Sequence, residues 1–190
     1  MQRSRSPATS ASQRGVAAVE FSFCAIVFFA FVCGVIELAR ALYMWSSMVE
    51  VTRRAGRGAA YSDFSNAAQM DEVRRRAMLE HISGGLPLRG NVSSANLKVD
   101  YLNASLVAIA PPSCPAQNYM NCNADPEGAT CIRFVRVRLC AEGTACERVE
   151  YLPIIGAGFF PGMRLQFPTF ATVTPAGSLG FQPGAGGNCM

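Results

Sequence analysis

The apolar positions at the start of the chain predict one long helix. Residues 21–36 contain no charged residue, and together with Leu38 and Ala39 they form an apolar stretch about 27 Å long as a helix, enough for a thin-bilayer span. Apolar residues then recur at spacings of three and four, at Met44, Met48, Val51, Ala55 and Ala59. The opposite face carries Ser46, Glu50, Arg53, Arg54 and Arg57. We therefore expect one helix over about Val16–Ala60, with its lower part in lipid and its upper part against a folded head.

A second amphipathic helix is predicted from Ala67 to Ile82. Tyr61–Asp63 breaks the first helix, and Gly84 with Gly85 ends the second. Its predicted inward face consists of Met70, Val73 and Ala77. Its predicted acid-first i,i+4 pairs are Asp71 with Arg75 and Glu72 with Arg76.

From Leu97 the apolar period changes to two, which is typical of half-buried strands. Four segments alternate in this way: Leu97–Tyr101, Val135–Leu139, Val149–Tyr151 and Leu165–Val173. Because turn-rich loops separate them, we expect a small antiparallel sheet. The predicted fold class is α+β, in which the first helix lies half in lipid and half against that sheet.

The flanking charges predict the orientation. The first fifteen residues carry Arg3, Arg5 and Arg14 but no acid, so the positive-inside rule retains this leader in the cytoplasm and exports the remainder. Tyr43 and Trp45 fall where an outer aromatic belt would lie. The formal net charge is +4, of which the leader supplies +3, so the rest carries about +1. That balance does not favour a nucleic-acid partner.

A cleaved secretory signal is an alternative for this N-terminus. Ala39-Arg40-Ala41 resembles an A-x-A cleavage site, but the apolar run is long for a signal, and Glu37 and Arg40 crowd the site. A buried helix of a soluble protein is a further alternative.

The eight cysteines fall into two sets. Cys24 and Cys33 lie in the predicted span on opposite helix faces, so they cannot bridge each other. The exported part holds the other six: Cys114, Cys122, Cys131, Cys140, Cys146 and Cys189. Their even number and wide spacing, without a C-x-x-C pair, favour disulfides in an oxidising compartment over a zinc site.

The loops suggest how these cysteines pair. Cys140 and Cys146 bracket a five-residue hairpin loop, so we expect them to pair across it. The Pro- and Asn-rich loop 111–130 contains Cys114 and Cys122, which we expect to staple it with Cys131 as one partner. Cys189, in a tail expected to be flexible, would lock the tail down or reach another chain.

No motif predicts catalysis. The sequence lacks G-x-S-x-G, a P-loop and H-E-x-x-H, and its single histidine, His81, is expected to be solvated near a helix end. We therefore predict no catalytic, cofactor or metal site. A membrane-tethered enzyme is kept only as a rival from another functional class.

Three motifs in the first sixty residues carry a family resemblance. They are RGVAAVEF at Arg14–Phe21, GVIELAR at Gly34–Arg40 and RRAGRGAA at Arg53–Ala60. In this order, around the apolar run, they resemble the TadE-type minor pseudopilins of the tight-adherence (Flp) pilus system. Beyond them only the strand pattern and the ATVTPAG strand end are similar. A TadF-like sibling and the membrane end of a TadG-like protein are the related alternatives.

The resemblance implies a pilin-like architecture and a function. The protein would be a single-pass inner-membrane component with a periplasmic head, assisting assembly of Flp pili used for adherence. Its implied partners are the lipid bilayer, sibling minor pseudopilins, other Tad assembly components and a prepilin peptidase. The expected divisions are a leader (1–15), a transmembrane helix (16–40), a periplasmic helical part (41–85) and a disulfide-stapled β-rich head (86–190).

The resemblance also implies cleavage between Gly15 and Val16. Glu20 would then be the fifth residue of the mature chain, followed by Phe21. A carboxylate near the new helix start favours its positive end, and in a filament it could neutralise the amine of a neighbouring subunit. Glu37 and Arg40 are expected to form an i,i+3 pair at the outer interface. The rival interpretation is an uncleaved membrane-anchored periplasmic scaffold or binding protein, with Glu20 merely solvated.

Overall fold

The computed structural model describes residues 13–80, 85–143, 146–154 and 165–183. Most of the predicted leader, the predicted end of the second helix at Ile82, His81, and Cys189 with the C-terminal tail lie outside these ranges.

The apolar N-terminal pattern forms a single helix, α1, at Gln13–Tyr61. It includes an apolar stretch long enough to cross a membrane, and no part of that stretch is buried within the protein. The upper half differs, because its predicted inward stripe is buried at every position: Met44, Met48, Val51, Ala55 and Ala59. The predicted division into an exposed apolar half and a packed amphipathic half is therefore confirmed.

Helix α2 spans Ala67–Ala77 and starts where predicted, with the Asn66 side chain accepting from the Gln69 N–H at 3.1 Å. It stops before Ile82 because Leu79 adopts a left-handed backbone with φ 57°, which cannot continue a helix. Met70 and Ala77 are buried as expected.

One predicted ion pair on α2 is wrong. Asp71 pairs with Arg74, and Arg75 turns instead to Glu72, with Nη2 2.9 Å from Oε2. Glu72 also holds Arg76 at 2.7 Å, the predicted pair. Both i,i+3 and i,i+4 neighbours are within reach on a helix, and here the i,i+3 partners are taken as well.

The main sheet is antiparallel throughout, with strand order β2-β1-β3-β6. Its strands are β1 (Leu97–Leu102), β2 (Ala108–Ile109), β3 (Phe134–Leu139) and β6 (Ala171–Pro175). A 3-10 helix at Ser94–Asn96 leads into β1. The upper half of α1 packs on β3 and β6, and α2 packs on α1.

A separate two-stranded sheet pairs β4 (Glu150–Tyr151) with β5 (Leu165–Gln166), and Tyr151 lies opposite Leu165. The segment Leu165–Val173, expected as one strand, thus divides between two sheets. Pro168 stands between its halves and has no N–H to donate to a ladder, which explains the break.

The region 111–130, expected as a loop, contains helix α3 at Pro115–Ala124. Cys114 is its N-cap and Pro115 its first residue, a favoured start. Cys122 on this helix is disulfide-bonded to Cys131, with 4.8 Å between their Cα atoms. The same Cα distance joins Cys140 and Cys146, the pair expected across the hairpin loop, and Cys114 is disulfide-bonded too.

The core consists of two clusters stacked along α1. The lower cluster, nearer the exposed apolar half, contains Met44, Met48, Val51, Leu97, Val137, Leu139, Tyr151, Phe167 and Phe170. The upper cluster contains Ala59, Ala60, Met70, Tyr101, Ile132, Val135 and Leu179. Strand β1 therefore begins near the exposed half of α1 and ends away from it. The end of α1 is capped by the segment after β6, whose Gly177 and Leu179 N–H groups both donate to the Ala60 carbonyl at 3.0 Å.

Candidate processing segment and helix-to-head clamp

The predicted processing segment lies on the first turns of α1. Gly15, Val16, Glu20 and Phe21 are all exposed, and a methyl group added at Gly15 would find nothing within 4 Å. The Gly15–Val16 bond therefore lies on the exposed surface of the first described turn of α1.

Val16 and Glu20 are separated by four residues and share one face of the helix. As it stands, α1 has no acidic residue in its first turn. A helix that began at Val16 would have the Glu20 carboxylate about one turn from its positive end, where a negative charge is stabilising.

Arg40 is the most constrained charged residue of α1, with only 7% of its surface exposed. Its Nη1 donates to the Leu152 carbonyl at 2.8 Å, the Tyr151 hydroxyl at 3.0 Å and Glu37 Oε1 at 3.2 Å. Its Nη2 donates to the Leu88 carbonyl at 3.4 Å. The guanidinium carbon also lies 5.0 Å from the centre of the Tyr151 ring, a cation–π distance. One side chain of α1 thus binds two separate segments of the head.

Glu37 completes the contact. It accepts a short hydrogen bond from the Tyr151 hydroxyl, and its Oε2 accepts from the Ile154 N–H at 3.2 Å. Burial raises the pKa of Tyr151, and its hydrogen bond to the Glu37 carboxylate raises that pKa further. Tyr151 therefore keeps its proton and remains a donor. We call Glu37, Arg40 and Tyr151 the clamp.

The Glu37–Arg40 pair is predictable from the sequence of α1, whereas the head residues that join it are not. Tyr151 is 111 positions from Arg40, and nothing in the local pattern of β4 distinguishes it from an ordinary strand tyrosine. The sequence of α1 did indicate that partners exist, because ionisable residues at the end of an apolar helix need them. Only the fold shows which residues those partners are.

The two glycines of the RRAGRGAA motif, Gly56 and Gly58, lie where neighbouring elements leave no room for a side chain. A Cβ on Gly58 would lie 2.8 Å from Val73 Cγ1 on α2, and one on Gly56 would lie 2.9 Å from Thr174 Oγ1 on β6. Both distances are shorter than real carbon contacts allow. The motif therefore lets α2 and the sheet approach α1 closely on two sides.

A groove of about 760 Å³ beside α2 and β1 is lined by Asp71, Arg74, Asp100 and Arg138 among others. Asp71 is paired with Arg74, and Asp100 accepts from Arg138 at 2.7 Å. Within residues 13–80, 85–143, 146–154 and 165–183, no cluster of three His, Cys, Asp or Glu residues could hold a metal ion.

Comparison with known proteins finds one family that is similar to the N-terminal helix. The family model described as TadE-like protein matches residues 15–57, which contain the processing segment, Glu37, Arg40 and Gly56. No curated protein and no solved structure matches the chain significantly. The match lies entirely within α1, and it fits a membrane protein associated with a Tad pilus. Over this helix the chain is therefore similar to the TadE-like family, the family that its three motifs resemble.

Proposed function

We propose that this protein is a single-pass inner-membrane minor pseudopilin that supports assembly of Tad (Flp) pili. The observation that carries the proposal is the joint occurrence of the TadE-like match at residues 15–57 and an exposed apolar half of the same helix. In a protein dissolved in water, that surface would be an aggregation liability, whereas lipid covers it at no cost.

The proposed organisation follows the helix. Residues 1–15 form a cytoplasmic leader, 16–40 the span, 41–85 the periplasmic helical part, and 86–190 the head. The head would function as a rigid, disulfide-stapled module that presents a surface to sibling pseudopilins. The family is structural rather than enzymatic, and the paired charges of the described groove agree with that role.

We further propose that a prepilin peptidase cleaves after Gly15. Exposure of Gly15 and its place in the first turn of α1 support access by the enzyme. Glu20 would then neutralise the new amine at Val16, either in its own helix or in a neighbouring subunit. An unpaired charge near lipid is costly, so this pairing would fix the axial position of one subunit against the next.

Intact mass measurement of the protein extracted from membranes tests the cleavage. A chain that starts at Val16 supports the prepilin interpretation, and Gly15→Glu should then keep the full-length mass, because a bulky charge replaces the small residue at the bond. A chain that starts at Met1 indicates the uncleaved scaffold. A start near Leu42 indicates a secretory signal and contradicts the proposal.

The role of Glu20 is tested by Glu20→Ala, with Ser22→Ala as the matched control on the same exposed part of α1. Ser22 hydrogen-bonds only within the helix in the described structure, to the Ala18 carbonyl at 2.7 Å. We expect Glu20→Ala to be cleaved normally but to reduce coassembly with other pilus components, measured by crosslinking and pilus counts. Normal piliation in Glu20→Ala would overturn this role.

A further inference from the structure

The end of the head that faces the predicted membrane carries exposed apolar side chains around the clamp. Leu88 is 55% exposed, Leu152 is 52% exposed and Ile154 is 63% exposed. We call these three residues the lower rim. They belong to two segments, and backbone groups of both segments bind α1: the carbonyls of Leu88 and Leu152 bind Arg40, and the Ile154 N–H binds Glu37.

The clamp fixes the height of the lower rim along α1. From Glu20, the charge that ends the apolar run on one side, Glu37 is about 26 Å and Arg40 about 30 Å along the helix axis. A hydrocarbon core is about 30 Å thick. The backbone groups of the protein head that bind Glu37 and Arg40 directly therefore lie at the outer edge of the hydrocarbon core. They do not lie one or more helical turns above it.

Several polar groups at this level are paired within the protein, as contact with lipid requires, although the buried Nε of Arg40 has no hydrogen-bond partner among the described residues. Arg40 satisfies the Leu88 and Leu152 carbonyls, and Glu37 satisfies the Ile154 N–H. Arg89, the charged neighbour of Leu88, is paired with Glu80. The chain from Leu152 to Ile154 carries no charge. Paired polar groups with unpaired apolar side chains are what an element needs in order to rest in the interfacial zone of a bilayer.

We propose that the lower rim docks into the outer surface of the bilayer, so that the head lies on the lipid in one fixed orientation. Leu88, Leu152 and Ile154 enter the boundary between headgroups and acyl chains, while the clamp holds their backbone against α1. The occupant of this surface is thus phospholipid. The docking requires that α1 spans the membrane, as proposed above, but neither cleavage after Gly15 nor a role in pili.

The opposite end of the head supplies a matched control. Val107 is 57% exposed, comparable with Ile154, but it follows β1, whose last residues Tyr101 and Leu102 lie at the end remote from the clamp. Hydrophobicity and exposure are therefore similar at the two sites, and only the expected distance from lipid differs.

The test uses single-tryptophan variants of the full chain in two kinds of phosphatidylcholine vesicle. Their acyl chains carry bromine, a contact quencher, either near the headgroup end or near the methyl end. Trp45→Phe removes the one native tryptophan. Ile154→Trp and Leu152→Trp report on the lower rim, Val107→Trp on the remote end, and Phe29→Trp on the span. Circular dichroism and mapping of the Cys122–Cys131 bond verify the fold of each variant, and Leu88→Trp replaces a rim variant that fails to fold.

We expect Phe29→Trp, about 14 Å along the helix from Glu20, to be strongly quenched by the deep bromine. The rim variants should lose about half of their fluorescence with the shallow bromine, because interfacial insertion reaches the upper acyl chain, and Val107→Trp should be affected by neither. Quenching of Phe29→Trp without quenching of the rim overturns the docking and leaves the span intact. A second outcome is a rim tryptophan that bromine does not quench but whose exposure to water falls as the protein density in the vesicles rises. That outcome assigns the lower rim to contact with a second copy of the chain and also overturns the docking on lipid. Absence of quenching at Phe29 overturns the span and the proposed function with it.

Discussion

Arg40 is buried at a place where most charged side chains would face solvent, and the donors on its two terminal guanidinium nitrogens compensate for this burial, whereas its Nε has no partner in the described part of the chain. It supplies a donor to the carbonyls of Leu88 and Leu152 and a charge to Glu37. Removal of Arg40 takes this donor from the two carbonyls and the positive charge from Glu37, which keeps its hydrogen bonds from Tyr151 and Ile154, in a place with little access to water. We expect Arg40→Ala to lower the free energy of unfolding by about 3 kcal/mol.

The measurement is denaturant unfolding in detergent micelles, followed by tyrosine fluorescence. Arg54→Ala is the control, since Arg54 pairs with Glu50 on the exposed face of the same helix at 2.9 Å and such pairs are screened by water. Arg40→Lys should recover only part of the loss, because an ammonium group cannot bind separated acceptors as a planar fork does. Equal effects of Arg40→Ala and Arg54→Ala would contradict a special role for the clamp.

Tyr101 predicts how the stability of the head depends on alkaline pH. Burial raises its pKa to about 12, against about 10 in an unfolded chain. Below pH 10 the residue is protonated in both states and contributes no slope. Between pH 10 and about 12 the unfolded state alone loses the proton, so the free energy of unfolding falls as pH rises.

Tyr101→Phe should therefore reduce that alkaline slope, as measured by denaturant unfolding at a series of pH values. Tyr61→Phe, which alters an exposed tyrosine at the end of α1, should leave the slope unchanged. The variants need comparison only with the parent protein at each pH, so titration of the lysine and arginine residues cancels. An identical slope in Tyr101→Phe and the parent would show that burial does not hold this proton.

At the scale of elements, Gly58 decides how close α2 can lie to α1. A Cβ at this position would lie 2.8 Å from Val73 Cγ1, and a β-branched valine has little freedom to move aside. The steric cost, about 1–3 kcal/mol, exceeds the gain of up to about 1 kcal/mol from replacing glycine by alanine in a helix. We expect Gly58→Ala to destabilise the head by about 1 kcal/mol.

A double-mutant cycle isolates this contact, because Val73→Ala removes the methyl groups that the new Cβ would meet. We expect Gly58→Ala to cost less in the Val73→Ala background than in the parent. Gly34→Ala is the control within α1, since nothing lies within 4 Å of the position where its Cβ would be. Additive effects of Gly58→Ala and Val73→Ala would show that the helices do not meet at Gly58.

Elements whose pattern is local were predictable, and those set by distant contacts were not. The apolar run and the Met44–Ala59 stripe predicted α1 because each turn repeats the same arrangement. Helix α3 was missed because its apolar residues have no clear period, although Cys114-Pro115 was a usable start signal. The two-residue strand β2 exists only through its pairing with β1, so no local pattern could define it. Strand β5 lies within the predicted segment Leu165–Val173, but its separate pairing with β4 was not predictable from that pattern.

The candidate sites divide in the same way. Gly15, Glu20, Glu37 and Arg40 were named from motifs because each motif lies on one continuous helix. The half of the clamp contributed by Tyr151 depends on how β4 and β5 fold back against α1. The spacing of residues in the sequence does not predict a contact between positions 111 residues apart. Only the folded structure therefore identifies Tyr151 as a partner of Arg40.

For the whole molecule, the oxidation state of the cysteines in cells tests the proposed side of the membrane for the head. Cys24 and Cys33 are free and lie on the exposed apolar half of α1, whereas Cys122, Cys131, Cys140 and Cys146 are paired in the head. Disulfides persist in the periplasm but not in the reducing cytoplasm. A head that crosses the membrane should therefore be oxidised in growing cells, while the cysteines of the span keep their thiols.

Alkylation of denatured cell extracts, followed by peptide mass spectrometry, measures this partition. We expect peptides containing Cys24 or Cys33 to be labelled without reduction, and those containing the four paired head cysteines to be labelled only after reductant. In a host that lacks its periplasmic disulfide oxidase, the head cysteines should be labelled before reduction. The head should also be less stable there, because loss of the Cys140–Cys146 disulfide alone lowers the free energy of unfolding by about 2 kcal/mol. Free head thiols in a normal host would place the head in the cytoplasm and reverse the orientation that the leader arginines predict.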